Sequence, residues 1–292
     1  MSISYGNMHV DERYAGIIEP NLYIGTPLVP NVSYTDKFQI GPAGQIFVHK
    51  LTDSTTGRLT ASGSDLPTGA DSGDSLIAIA LNNCFQANEK IYQVASDAVE
   101  IELANERLAN AVRVVRKIRE QSALACLITE GTASSETTAL TASNIKKYLL
   151  AERTTLSSAG ATPDVVLCSP AVYSLILESA GTQFTPEVND RMVNDGRVGS
   201  WLGFTFLECT AMATGADIKY YNYSGTLTTV AAATLAKVDF IMYNHEAFSV
   251  IDNADAMRIV DSEAFVGALA QVEINTGFRV TTSACVSVRK HA

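Results

Sequence analysis

The sequence predicts an α+β protein organised around one long helix. Residues 97–128 carry a helical apolar pattern, two strand-like segments flank a long polar loop near residue 60, and strands alternate with helices further on. A helix of about thirty residues extends roughly 45–50 Å at ~1.5 Å per residue. Because this exceeds the usual helix length, we expect the helix to lie across several other elements as a spine.

The spine helix is predicted over Asp97–Ile128. Asp97 and Glu100 resemble a capping box, and Gly131 follows the far end. Acidic residues near the start and basic residues toward the end would complement the helix macrodipole. The apolar seam consists of Ile101, Ala104, Leu108, Ala111, Val115, Ile118, Ser122 and Ala125, widened by Val112, Cys126 and Leu127.

The composition limits the possible functions. Only 18% of the 292 residues are charged and 47% are hydrophobic, which suggests that partners cover part of the surface. The net charge of −10 argues against a protein that relies on sequence-independent phosphate binding. A local basic patch would still permit loose contact with nucleic acid.

The cysteines and the apolar runs indicate the compartment. The five cysteines are scattered without a CxxC spacing, so we expect reduced, mostly buried thiols in a cytosolic setting. The first thirty residues lack a signal-peptide pattern. No apolar run reaches the ~18 residues of a membrane span. We expect a soluble protein that is synthesised in the cytoplasm and has no membrane partner.

The first third of the chain predicts projecting segments. Residues 1–40 contain three helix-breaking prolines and predict an extended arm on a surface made elsewhere, or equally a peripheral strand and loops of the same domain. Strands are predicted at 45–51 and 76–81, around the polar loop Thr52–Ser75. A loop of this length is functional or disordered. Because an isolated hairpin is marginal in water, it is either floppy or received by another chain.

An extended segment, Cys84–Val94, leads into the spine, and a polar loop at 133–141 follows it. Ser143 is predicted to cap a helix that runs to about Ser158 and ends at Gly160.

The following segment predicts a strand and then a helix. Val165–Cys168 is the strand, and Ser169-Pro170 starts a helix that ends near Gly181.

Later segments predict mainly strands. An aromatic strand is expected at Trp201–Leu207, a turn region at Val250–Asp255, and an alternating final strand at Phe278–Val288, whereas Ala264–Ile274 is ambiguous. Further strands are predicted at 217–230, 237–243 and 257–260.

The residues that could carry chemistry form no active-site pattern. His245-Glu246 is not a zinc motif because residue 249 is serine, and a solvated or capping histidine is expected there. Ser169 lies where nucleophiles are displayed, but helix capping explains it. The remaining histidines are distant from one another in sequence: His9, His49 and His291.

The clusters of charged residues can also be explained without a binding site. Asp252, Asp255, Asp261 and Glu263 lack the EF-hand ligand pattern and predict solvated turns. The run Arg113, Arg116, Lys117 and Arg119 predicts a solvated face or salt bridges, with nucleic-acid contact as the alternative. We therefore predict no catalytic, cofactor-binding or metal-binding residues, no cofactor, and no enzymatic activity.

The order of the elements resembles the major capsid proteins of tailed bacteriophages, a fold shared with encapsulin shells. Four local stretches are similar to segments of that family, and their order and spacing extend the resemblance to nearly the whole chain. They are Asp164–Pro170 followed by Val172-Tyr173, Gly199–Phe204 with its Leu-Gly-Phe core, Ala247-Phe248, and Gly277–Val280.

The resemblance implies four regions. They are an N-terminal arm at 1–40, an extended hairpin loop at 41–82, a peripheral domain with the spine helix at 83–131 and 239–275, and an axial α/β domain at 132–238 and 276–292.

The resemblance also implies a function by assembly. Identical subunits would form hexamers and pentamers of an icosahedral shell around double-stranded DNA in a virion. Scaffolding, portal and possibly decoration proteins would be partners, and the DNA would be contacted loosely and non-specifically. The chain begins at the arm, which implies a separate scaffolding protein or a processed start.

The hairpin offers little for a covalent link between subunits. Lys50 is the only lysine of the hairpin and lies near its base, so no covalent cross-linking is expected.

An encapsulin-like nanocompartment shell and a cytosolic α/β enzyme without a recognisable motif are the alternative functions.

Overall fold

A six-stranded sheet and a three-stranded sheet, connected by one long helix, dominate the structure. The computed structural model describes residues 4–5, 8–9, 28, 45–51, 74–92, 103–181 and 200–292. The helices are α1 Leu103–Glu130, α2 Ile145–Ser158, α3 Pro170–Gly181 and α4 Ala232–Ala236. The strands are β1 Ser4–Tyr5, β2 Met8–His9, β3 Gln45–Leu51, β4 Asp74–Ala80, β5 Asn83–Tyr92, β6 Thr132–Ala133, β7 Val165–Cys168, β8 Ser200–Trp201, β9 Phe204–Glu208, β10 Ile218–Tyr221, β11 Leu227–Val230, β12 Val238–Tyr243, β13 Phe248–Asp261, β14 Gly267–Val280 and β15 Val286–Lys290.

Helix α1 is the predicted spine, and it connects two hydrophobic cores. Its first half packs Ala111 and Val115 against Val272 and Ile274 of the three-stranded sheet. Its last turns, Ala123–Ile128, are buried on all sides in the main core. A helix surrounded by apolar neighbours lies in the interior, as these turns do.

The predicted spine helix is confirmed, but its predicted end and the predicted burial of Ile118 are wrong. Helix α1 continues to Glu130, and its last turn contains no basic residue. Ile118 is 39% exposed, because it lies about 60° around the helix from Val115 and points past the sheet. The predicted start and capping box, Asp97 and Glu100, lie outside the described residues.

The three-stranded sheet has the order β13-β14-β5, and all its pairs are antiparallel. The turn predicted at Val250–Asp255 is wrong, because this segment belongs to β13. The pairing with β14 has a register irregularity between Asp252 and Asp255, and the strand continues past it. The ambiguous segment Ala264–Ile274 is mostly the start of β14.

The predicted final strand Phe278–Val288 is also wrong. Strand β14 ends at Val280, a single 3-10 turn occupies Ser283–Cys285, and β15 then joins the other sheet. The chain thus changes sheets at the point where alternation alone predicted one continuous strand.

The six-stranded sheet has the order β6-β15-β12-β7-β9-β8. Alternate residues of its central strands enter different cores. Val166 and Met242 face α2 and α3, whereas Leu167 and Ile241 face the main core with the end of α1. The predicted strand Val165–Cys168 is confirmed, and its continuous apolar run is typical of a strand covered on both faces.

Two local predictions in this region need correction. Asn144, not Ser143, precedes α2, and its Oδ1 accepts a hydrogen bond from the Thr141 amide at 2.8 Å. The predicted strand Trp201–Leu207 is two strands joined by Leu202 and Gly203. Both turn residues have positive φ, 55° and 82°, as a two-residue type I′ hairpin turn requires.

Other local predictions are confirmed. Gly160 follows α2 with a φ of 83°. The Ser169 side chain accepts a hydrogen bond from the Val172 amide at 3.5 Å, so Ser169 caps α3.

The predicted division into peripheral and axial domains stays a prediction. Strand pairing groups Val238–Tyr243 with β7 and β15, and groups Gly277–Val280 with the three-stranded sheet. Among the described helices, none is both long and apolar enough to cross a membrane.

Gly131, directly after α1, is where the helix meets β15. A Cβ atom there would lie 2.6 Å from the Leu127 carbonyl oxygen and under 3 Å from the Val288 and Val286 side chains. The absence of a side chain therefore lets β15 pass against the helix end.

We predict that Gly131→Ala lowers the free energy of unfolding by about 2–3 kcal/mol, because overpacking forces β15 away from α1. Urea unfolding measures this. Gly215→Ala is the control: it has open space but a φ of 66°, and should cost about 1 kcal/mol. If Gly131→Ala loses no more free energy of unfolding than Gly215→Ala, then β15 can move away from α1 at little cost, which contradicts the prediction.

Candidate assembly surface

The hairpin β3–β4 is bound to the body by one face. The cross-strand pair Ile46 and Ile79 is buried against Ile251 of β13, with Val48 and Leu81 at the margin. At Gly277, a Cβ atom would lie 2.6 Å from the Ala80 carbonyl oxygen. The base of the hairpin therefore packs closely on the three-stranded sheet.

The opposite face of this hairpin carries two exposed apolar side chains. Phe47 is 52% exposed and Leu76 is 58% exposed. Phe47 is opposite Ala78 and Leu76 is opposite His49, so the two side chains are diagonal neighbours on one face. We refer to Phe47 and Leu76 as the hairpin patch.

A second apolar surface lies on the outer part of β13. This strand is an edge of its sheet among the described strands. Its residues 256–261 are all exposed, including Met257, Ile259 and Val260, and Val266 in the turn after it is 80% exposed. An exposed apolar edge strand is suited to pairing with another chain.

The predicted N-terminal arm is bound to the body at one described point. Leu28 is fully buried in the main core, and its amide donates a hydrogen bond to the buried Glu120 carboxylate of α1. Both predictions for residues 1–40, an extended arm and a peripheral segment of the same domain, stay predictions. In addition, β1 and β2 pair with each other.

The histidines have structural surroundings. His245 is exposed and contacts the Asp164 carboxylate, which also accepts a hydrogen bond from the His245 amide at 2.8 Å. This confirms the expected capping or solvated histidine. His291 Nδ1 lies 2.9 Å from Asp239 Oδ1. The side chains of His9 and His49 lie outside the described part of the chain.

Among the charged candidates whose side chains the structure describes, which excludes Asp255, the acidic residues have separate surroundings. Asp252 pairs with Arg119 of α1 at 2.5 Å, whereas Asp261 and Glu263 are exposed near a turn. Arg113 and Arg116 are exposed on α1. Within the described ranges, no group of three or more His, Cys, Asp or Glu side chains is arranged to hold a metal ion.

Three of the five cysteines, Cys126, Cys168 and Cys209, are buried. Burial raises the pKa of the Cys126 and Cys168 thiols well above the ordinary value, and raises the pKa of Cys209 to about 12. Burial and the neighbouring Glu273 also raise the pKa of the exposed Cys84. Because the thiolate is the reactive form, the buried thiols of Cys126, Cys168 and Cys209 are poor nucleophiles at neutral pH. Cys285 is partly buried.

Comparison with known proteins identifies the fold. No protein-family model and no curated protein matches the sequence. A structure of Mycobacterium phage Che8 matches with a TM-score of 0.71 at 12% identity, over 98% of this chain and 98% of that one. The capsid structure of Cyanophage P-SCSP1u matches with a TM-score of 0.71 at 12% identity, over 96% and 92%.

A third structure extends the comparison beyond phages. The capsid of an empty gene transfer agent particle matches with a TM-score of 0.65 at 12% identity, over 97% of this chain and 95% of that one. The chain therefore has the fold of these phage and gene transfer agent structures, and the predicted tailed-phage major capsid fold is confirmed.

We predict that Leu28→Ala lowers the free energy of unfolding by about 3 kcal/mol, because it leaves a cavity in the main core. Val266→Ala, at an exposed position, is the control and should change stability by less than about 0.5 kcal/mol. Urea unfolding of both variants measures the difference. Similar stabilities would mean that Leu28 is not an anchor of the arm.

Proposed function

We propose that this chain is the major capsid protein of a tailed phage, which assembles into an icosahedral shell enclosing a double-stranded DNA genome. The observation that carries the proposal is the likeness to capsid structures over nearly the whole chain. Copies of the chain in hexamers and pentamers are its main partners, and the virion is its location after synthesis in the host cytoplasm.

The hairpin patch supports this proposal physically. The body buries Ile46 and Ile79, but it leaves Phe47 and Leu76 facing solvent. In an assembled shell a neighbouring subunit covers the patch and removes this apolar area from water, at about 25 cal/mol per Å². Several such contacts per subunit reinforce one another, because each contact raises the effective concentration of the next.

The charge of the chain suits a container for DNA. A net charge of −10 disfavours tight binding to a polyanion, so the packaged DNA is held loosely. Arg113 and Arg116 provide a local exposed basic surface for such contact. Scaffolding, portal and possibly decoration proteins complete the proposed set of partners.

The proposed role is structural and needs no cofactor. Ser169 caps a helix, His245 contacts Asp164, and the buried thiols stay protonated at neutral pH. These groups therefore have roles in the fold, which supports a structural protein over the α/β enzyme alternative.

A related shell with different contents is the second candidate. One similar structure is a gene transfer agent capsid, and encapsulin-like compartments share the fold that the sequence resembles. Nucleic acid extracted from purified particles distinguishes a phage genome from other DNA, and mass spectrometry detects cargo enzymes.

Size-exclusion chromatography and electron microscopy of the expressed protein, alone and with a scaffold candidate, test the proposal. We expect shells or capsomers of many subunits. A stable monomer or dimer under both conditions, with the 52–75 loop protected from protease, would favour the enzyme alternative.

We predict that replacing Phe47 and Leu76 together by serine lowers the yield of particles at least tenfold. The reason is that the hairpin then lacks its apolar contact with the neighbour, whereas the subunit keeps its own core. Leu150→Ser, at another exposed leucine, is the control, and sedimentation measures the yield. Wild-type yields from the double variant would contradict the role of the hairpin patch.

We predict that protease cuts Thr52–Ser75 readily in free subunits and slowly in particles, because a neighbour covers the hairpin after assembly. Timed digestion followed by mass spectrometry measures the cleavage rates. Equal rates in both states would count against assembly through this segment.

A further inference from the structure

The two residues after Leu81, Asn82 and Asn83, connect the projecting hairpin to the ribbon β10–β11. The Asn83 side chain is 3% exposed. Its Nδ2 donates to the Tyr221 carbonyl oxygen at 2.8 Å, and its Oδ1 accepts from the Tyr221 amide at 2.8 Å. This side-chain amide therefore imitates one pair of an antiparallel ladder at the edge of β10 with which no described strand pairs.

Asn82 adds a second connection to the same ribbon. Its Nδ2 donates to the Asn222 carbonyl oxygen at 2.9 Å. Asn82 and Asn83 are the second and third residues after Ala80, which forms the last pair of the hairpin with Gln45. A longer bond, 3.4 Å, joins the same Asn82 Nδ2 to the Tyr223 carbonyl oxygen, so four hydrogen bonds act within a few residues of the hairpin base.

The ribbon is itself held firmly. Ile218, Tyr220 and Val230 are buried in the main core. Its turn is organised by Asn222, whose Oδ1 accepts hydrogen bonds from the amides of Ser224 and Thr226 at 3.0 and 2.9 Å. Such a local side-chain-to-backbone network fixes the turn geometry.

A stacked arginine connects the ribbon turn to the spine helix. The Arg279 guanidinium carbon lies 3.4 Å from the centre of the Tyr223 ring. The same guanidinium pairs with the Glu130 carboxylate at 3.3 Å, and Glu130 also accepts a hydrogen bond from the Val280 amide at 3.0 Å. The ribbon is thus attached to β14 and to the end of α1.

The apolar contacts of the hairpin do not fix its direction by themselves. The packing of Ile46 and Ile79 on Ile251 is favourable but non-directional. Hydrogen bonds, by contrast, weaken steeply when their angles change. The bonds from Asn82 and Asn83 therefore restrain the angle at which β4 leaves the body.

We propose that the ribbon β10–β11 is a strut that fixes the direction in which hairpin β3–β4 projects, with Asn82 and Asn83 as positioning residues. If the proposed function is correct, this angle also sets the angle between neighbouring subunits, and hence the curvature of the shell. That last consequence rests on the proposed function, whereas the strut itself is a property of the single subunit.

Spin-label distances in free subunits test the strut. Labels at Leu76→Cys on the hairpin and Ser157→Cys on α2 report the hairpin direction, in a background where Cys84 and Cys285 are replaced by serine. We expect one narrow distance distribution in this background. Replacing both Asn82 and Asn83 by alanine should at least double its width.

Matched variants make this result specific. Asn88→Ala, on the exposed face of β5, is the control and should leave the distribution unchanged. Because loss of the buried Asn83 can unfold the subunit, circular dichroism monitors the fold, and Asn82→Ala alone serves as a milder variant with smaller broadening. If the folded variants, or Asn82→Ala alone where the double variant unfolds, retain the narrow distribution, the proposal is overturned.

Particle diameter separates the two proposals. We expect Asn82→Ala to broaden the range of particle diameters at least twofold, while Asn88→Ala does not. An unchanged range would overturn the link to curvature. A chain that never assembles would overturn the proposed function, whereas the spin-label result would still decide the strut.

Discussion

The burial of the last turns of α1 is the constraint on which the other elements depend. Residues 123–128 are enclosed on every side, so sheets must reach the helix from several directions. In strands β7 and β12, alternate side chains point to opposite faces of the sheet. One set packs against the end of α1, and the other set packs against α2 and α3. The chain crossing from β14 to β15, past Gly131, closes the main core around the helix end.

The same arrangement leaves the hairpin incomplete. The body packs Ile251 and the backbone at Gly277 against one face of β3–β4, but it leaves Phe47 and Leu76 52% and 58% exposed. Polar contacts near the hairpin base restrain its direction but bury none of that exposed face. Under the proposed function, a second copy of the chain covers this surface.

Local sequence patterns predict much of this fold, and the predictions that are wrong have physical causes. The spine, β7, the Ser169 cap and the hairpin strands are predicted by apolar periodicity and capping residues. The polar residues at 252–255 indicated a turn, but Arg119, far away in sequence, neutralises Asp252 within a continuous strand. The anchoring of Leu28 by Glu120, and of Tyr221 by Asn83, depends on contacts across 92 and 138 residues, which no local pattern reveals.

Hydroxyl-radical footprinting tests the central claim most directly, because it reports the solvent exposure of Phe47 and Leu76 in free subunits and in particles. We expect oxidation of both side chains to fall at least fivefold on assembly, toward the level of the buried Ile79. Oxidation that stays at the free-subunit level in intact particles would contradict the claim that neighbouring copies cover this face.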